Sequence, residues 1–96
     1  MRYFHRTSLA PDDVVSAADT HFGARLQMVE SGNRSRTFEG PIGRIEVEIE
    51  AEGGHYTLIT LKTDQVGESE LDTLGKSFLT VVHTKAAPRH VARGAY

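Results

Sequence analysis

Glu46, Glu48, Glu50 and Glu52 recur at every second position, so on an extended chain they share one face about 7 Å apart. Such a column of carboxylates could bind cations or serve acid–base chemistry. Its ordinary role is a wetted strand face that resists unwanted edge pairing, and no histidine or second acidic strand stands obviously opposite it. The five histidines, His5, His21, His55, His83 and His90, are scattered. None falls at a His-x-x-x-His or His-x-His spacing, so no metal site is expected. Gly40-Pro41-Ile42-Gly43 and Gly53-Gly54 join extended segments rather than open a helix, so neither is a phosphate loop, and no serine sits in a Gly-x-Ser-x-Gly elbow. No catalytic residue is assigned and no cofactor is implied. Two cationic groups carry the other candidate chemistry: Arg34, Arg36 and Arg44 around one short segment, and Lys85, Arg89 and Arg93 near the C-terminus with no acid among them. Arg34, Arg36, Arg89 and Arg93 are the candidates for an anionic ligand or an acidic partner.

The 96 residues suit one domain with a modest core, and a dimer would be a natural supplement. A formal charge of −2 argues against nucleic-acid binding, which takes a clustered cationic face. The absence of cysteine excludes disulfides, thiolate metal sites and a cysteine nucleophile. No apolar run approaches the ~18 residues that span a bilayer, and Met1-Arg2-Tyr3-Phe4-His5-Arg6 lacks the apolar core of a secretory signal. A cytoplasmic protein with no membrane partner is the expectation.

The elements that must position these residues follow from periodicity. Tyr3 to Thr7 is β-favouring. Pro11, Asp12 and Asp13 suit the first turn of a helix whose apolar stripe is Val14, Ala18 and Phe22, joined by Val15, with Gly23 as its stop. Leu26 to Glu30 reads as a strand with Leu26 and Met28 on one face. Ser31-Gly32-Asn33 is a turn, and Arg34 to Glu39 a third strand anchored inward by Phe38. Arg44 to Ala51 alternates apolar and charged residues without a fault, and His55 to Thr63 is its β-rich partner. A three-residue Gly53-Gly54-His55 loop sets Val47 against Leu61, Ile49 against Ile59 and Glu46 against Lys62. A two-residue loop would mix wet with dry, so the longer loop is expected. A second helix opens near Ser69, with Asp72 as capping-box partner and Leu71, Leu74, Phe78, Val81 and Val82 at helical spacing. Gly75 inside it costs about 1 kcal/mol relative to Ala, which close packing on the sheet would explain. The helix fades before Pro88, leaving residues 88–96 as a tail with Val91 and Tyr96 as possible anchors.

Leu9-Ala10-Pro11-Asp12-Asp13-Val14-Val15 resembles the opening of the first helix in the START-related, polyketide-cyclase-like (SRPBCC) helix-grip proteins, and the meander followed by a long helix is similar in order. The chain is about two-thirds of that family's usual length, and its β-α-β4-α order is closer to a TATA-binding-protein-like half. The resemblance implies an apolar small-molecule face between sheet and final helix, and in the second plan a pairing of sheets; it implies no catalytic residue.

The expected fold is therefore α+β: a two-layer β-α-β-β-β-β-α domain over residues 1–87, with an antiparallel four- to five-stranded sheet and both helices on one face. The expected function is a binding or assembly module, homodimeric, taking a small apolar ligand in a groove lined by Phe38, Ile49, Ile59, Leu61, Phe78 and Val82. The alternatives are an enzyme of cyclase or hydratase type with a His or Glu in that groove, or a nucleic-acid or protein binder using Arg34, Arg36 and the basic tail.

Overall fold

The central strand organises the molecule, which a computed structural model describes over residues 1–86. Seven elements follow in the order β1 (Arg2–Thr7), α1 (Pro11–Gly23), β2 (Gln27–Ser31), β3 (Ser35–Gly40), β4 (Gly43–Glu52), β5 (Tyr56–Thr63) and α2 (Glu70–Ala86). Ile45, Val47 and Ile49 of β4 are buried, while Glu46 is half-buried and Glu48 and Glu50 are exposed. The β4–β5 register is the one the longer loop demands: Val47 faces Leu61, Ile49 faces Ile59, Ala51 faces Thr57, and Glu46 faces Lys62.

The five strands form one antiparallel sheet in the order β1-β5-β4-β3-β2. The first strand thus returns to pair with the last, setting Tyr3 opposite Leu61 and His5 opposite Ile59. The Met1 ammonium extends this ladder by donating to the carbonyls of Thr63 at 3.0 Å and Gln65 at 3.2 Å. Both helices lie on the apolar face, which makes the two-layer α+β architecture. Among the described residues no helix is long and apolar enough to cross a membrane. Arg89, Val91, Arg93 and Tyr96 of the tail lie outside the described residues.

β2 departs from simple alternation. It carries a bulge between Met28 and Glu30, so Gln27 pairs with Glu39 and Glu30 with Thr37 although three positions separate them. The extra residue is Val29, so Met28 still stands opposite Phe38 and only the residues after the bulge change side. Leu26 is buried ahead of the strand, whereas Met28 and Val29 are about half exposed on the sheet edge.

The caps explain the helix limits. Pro11 fills the first position of α1, and the Ala10 carbonyl accepts from the amides of Asp13 at 3.0 Å and Val14 at 3.1 Å. In α2 the Ser69 hydroxyl accepts from the Asp72 amide at 3.1 Å. The Asp72 carboxylate turns to Lys76 rather than back to Ser69. Phe22, Phe38 and Phe78 meet at the centre, with Phe22 centred 5.4 Å from Phe38 and 4.9 Å from Phe78. Full burial of a side chain of this size stabilises by about 1.5–3 kcal/mol.

Two glycines behave differently. Gly43 has φ +130°, and a Cβ there would lie 2.7 Å from Asp64 Oδ1 and 3.0 Å from Leu71 Cδ2. Gly75 is not forced by packing, since a Cβ would sit 3.5 Å from Leu61 Cδ1 and 3.6 Å from Ile45 Cδ1, ordinary contact distances. Gly75→Ala is therefore expected to raise stability by about 0.5–1 kcal/mol, and Gly43→Ala to lower it by about 1–3 kcal/mol. Urea unfolding midpoints of the two variants measure both signs.

Candidate functional site

The six apolar candidates Phe38, Ile49, Ile59, Leu61, Phe78 and Val82 are between 0% and 4% exposed and belong to one packed cluster. Phe38, Ile49, Ile59 and Leu61 belong to the sheet floor, and Phe78 and Val82 are residues by which α2 rests on it. Space for a ligand lies above them, between the helices. An open groove of about 630 Å³ runs there, walled by Ser16, Ala17, Thr20 and His21 of α1 and by Val81 and Lys85 of α2, with Leu9 and Asp13 also lining it.

The helices bracket this groove antiparallel. His21 fixes one end: its Nε2 lies 3.1 Å from the Leu74 carbonyl and 2.9 Å from Ser77 Oγ, which itself donates to Leu74 O at 2.9 Å. A carbonyl can only accept, so in the neutral ring Nε2 carries the proton and Nδ1 is left as an acceptor. The ring packs edge-on against Phe22 at 5.3 Å and tilted over Phe78 at 5.8 Å. Asp13 precedes His21 by two helical turns and Lys85 follows Ser77 by two, so both stand about 12 Å along the groove from that contact. The groove is thus apolar in its middle and polar at both ends.

A second polar zone follows the seam between α2 and edge strand β1. Asp72 is 4% exposed; its Oδ2 lies 3.1 Å from Lys76 Nζ, which sits 5.8 Å from the Tyr3 ring centroid. Asp72 Oδ1 and the Tyr3 hydroxyl are buried without a hydrogen-bond partner among the described residues. Farther along the seam, burial and then the nearby His83 push the His5 imidazole below its ordinary pKa. A carboxylate, a phenol, an amine and two imidazoles are an acid–base set, but its first two members are closed from solvent at their unpaired atoms. Among the described residues no group of three or more His, Asp or Glu side chains is arranged to hold a metal ion.

The glutamate column forms the uncovered side of the sheet, where its charges are partly matched. Arg6 binds Glu52 at 2.6 Å and holds that carboxyl below the ordinary range, and Lys62 lies 3.9 Å from Glu48. Arg44 reaches Glu39 at 3.1 Å and Glu30 at 3.6 Å. Arg36 lies on the opposite, helix-covered side and is 15% exposed at its side chain. Its Nε donates to Asp19 at 2.9 Å, and its Nη1 to the carbonyls of Gly32 at 2.6 Å and Ser35 at 2.8 Å. It ties α1 to the β2–β3 turn. Arg34, two residues earlier, precedes β3 and faces a different groove at the end of the sheet.

Ser16, Ala17, Thr20 and His21 were not among the sequence candidates. The available signal was their small and polar character at helical spacing beside the Val14, Ala18 and Phe22 stripe. No protein-family model matches the chain, and a search of curated proteins finds no significant match.

Two expectations follow from the seam. Tyr3→Phe removes a buried hydroxyl that has no partner among the described residues, so stability is expected to hold or rise by about 1 kcal/mol; a loss of that size in thermal or urea unfolding would show the hydroxyl to be bonded. The lowered His5 pKa means the unfolded chain binds more protons, so stability rises with pH. The contribution of His5 is complete above its ordinary value of about 6.5 and declines as pH falls through the folded value. Unfolding midpoints at pH 7.5 and 5.5 should differ in that direction, and by less in His5→Gln.

Proposed function

We propose that the protein is a small ligand-binding module whose site is the groove between α1 and α2, taking a small, mainly apolar molecule. The observation that carries this reading is the groove itself: about 630 Å³, with Leu9, Ala17 and Val81 as apolar surface and His21 as a fixed polar marker. Small-molecule sites are concave spaces of about 300–1,000 Å³ with a few convergent polar groups. The ligand of the initial expectation is kept, but its seat moves from beneath α2 to the cleft beside it, because Phe78 and Val82 are fully buried against the sheet. A nucleic-acid role draws little support from a chain of charge −2 whose Arg36 is already tied to Asp19. Homodimerisation belongs to the proposal through the β2 edge, where Met28 and Val29 are exposed. The uncovered sheet face is a poor alternative, since it would bring two glutamate columns together.

Amide NMR spectra of the full chain titrated with indole, octanol and octanoate test this reading. Saturable shifts are expected at Ser16, Ala17, Thr20, His21 and Val81, with Ser16→Trp weakening them at least tenfold by filling the groove. Shifts centred on Phe38, Ile49 and Ile59 would return the site to the sheet–helix interior, and spectra unmoved by all three probes would overturn the proposal. Concentration-dependent shifts along β2 in the same samples report the dimer.

A further inference from the structure

We infer that the end of the sheet beside the start of α1 is a second, independent site, built for a phosphate monoester that carries a flat aromatic group. A groove of about 310 Å³ opens where the β1–α1 connection, the β4–β5 loop and the approach to β3 meet, and it presents Ser8, Arg34, His55 and Tyr56. No carboxylate lines it, although the chain carries 13 Asp and Glu residues. Arg34 is half-buried and takes part in no ion pair among the described residues. Its neighbour Arg36 is fully engaged with Asp19 and two carbonyls.

The walls are held in place without a ligand. The Arg34 carbonyl accepts from the Ile49 amide at 2.9 Å, which anchors the residue while leaving its guanidinium without an ion pair among the described residues. Thr57 Oγ1 donates to the Leu9 carbonyl at 2.7 Å, and the Leu9 amide donates to Thr7 Oγ1 at 3.2 Å, joining the β5 wall to the β1–α1 wall. Glu52, which pairs with Tyr56 across the hairpin, is drawn away by Arg6 at 2.6 Å and does not compete for Arg34.

This set of groups selects its ligand by charge. A guanidinium offers two parallel N–H donors that match phosphate oxygens, and the Ser8 hydroxyl in the same lining adds a donor. The exposed His55 ring of the hairpin loop belongs to the same lining and offers a face on which an aromatic group can stack, beside Leu9 and Pro11. Preformed walls keep the ordering cost of binding low.

The test is titration of the full chain with phenyl phosphate, followed by amide NMR. Shifts are expected at Ser8, Arg34, Gly54 and His55, weakening as salt rises, with inorganic phosphate acting on the same amides more weakly. Arg34→Gln should reduce affinity at least tenfold with an otherwise unchanged spectrum, and Arg34→Lys should fall between the two because it keeps charge but loses the fork. Undiminished binding by Arg34→Gln, or equal shifts from phenol, would overturn the anion site. Shifts confined to the α1–α2 groove would overturn it while leaving that groove's own role intact.

Discussion

A single parity constraint governs this molecule. Once Ile45, Val47 and Ile49 turn to one side of β4, Glu46, Glu48 and Glu50 must turn to the other, and no layer can cover both. Both helices are therefore driven onto the same face, side by side. Their two stripes converge on the same floor, where the rings of Phe22 of α1 and Phe78 of α2 meet at 4.9 Å, tilted by 49°. Side-by-side helices over a twisted sheet leave a cleft wherever their facing flanks are small. Here Ser16, Ala17 and Thr20 supply that smallness, so the main groove follows from the choice of dry face.

What could be read from the residues was whatever parity or helical period controls. The β4–β5 register was legible because the two-residue loop would have set Glu46 against Leu61, and the molecule adopts the alternative with Glu46 against Lys62. The β2 bulge was not, because one inserted residue leaves the composition of Gln27–Ser31 unchanged while reversing the side of everything after it. The return of β1 to β5 is a long-range choice that no local pattern encodes. Phe38, Ile49, Ile59, Leu61, Phe78 and Val82 were legible as dry, but dryness alone does not separate a ligand wall from a core. That distinction depends on how far a helix stands off the sheet, and α2 stands close.

The arginines show the same limit from the polar side. Arg34 and Arg36 are two residues apart, which on a regular strand would place them on one face as a pair. The Ile49 amide donates to the Arg34 carbonyl and carries the ladder one residue past the strand, so the two do share a side, but a shared side does not give a shared partner. One guanidinium becomes a structural tie beneath the helix layer and the other a solitary charge in a groove. Asp72 is comparable: its position in the sequence fits a capping box, yet Lys76 one turn later draws its carboxylate sideways at 3.1 Å. The other oxygen is buried without a partner among the described residues. Local spacing proposes a partner, and the nearest opposite charge takes it.

The distribution of ion pairs adds a last step. Arg6, Arg25, Arg36, Arg44, Lys62 and Lys76 each meet a carboxylate within 4.0 Å. Most of these pairs are exposed, where each contributes only about 0–1 kcal/mol, so their number says little about stability. Their effect on the field is larger, because they cancel charge over most of the surface. Among the described basic side chains, Arg2, Arg34 and Lys85 are left without such a pair, and the last two line concave grooves. Field lines concentrate in concave, partly dry places. Among the described residues, Arg34 therefore keeps a positive charge in a groove whose lining holds no described carboxylate, whereas Lys85 shares its groove with Asp13, and Glu46 and Glu50 stand unpaired on the open sheet.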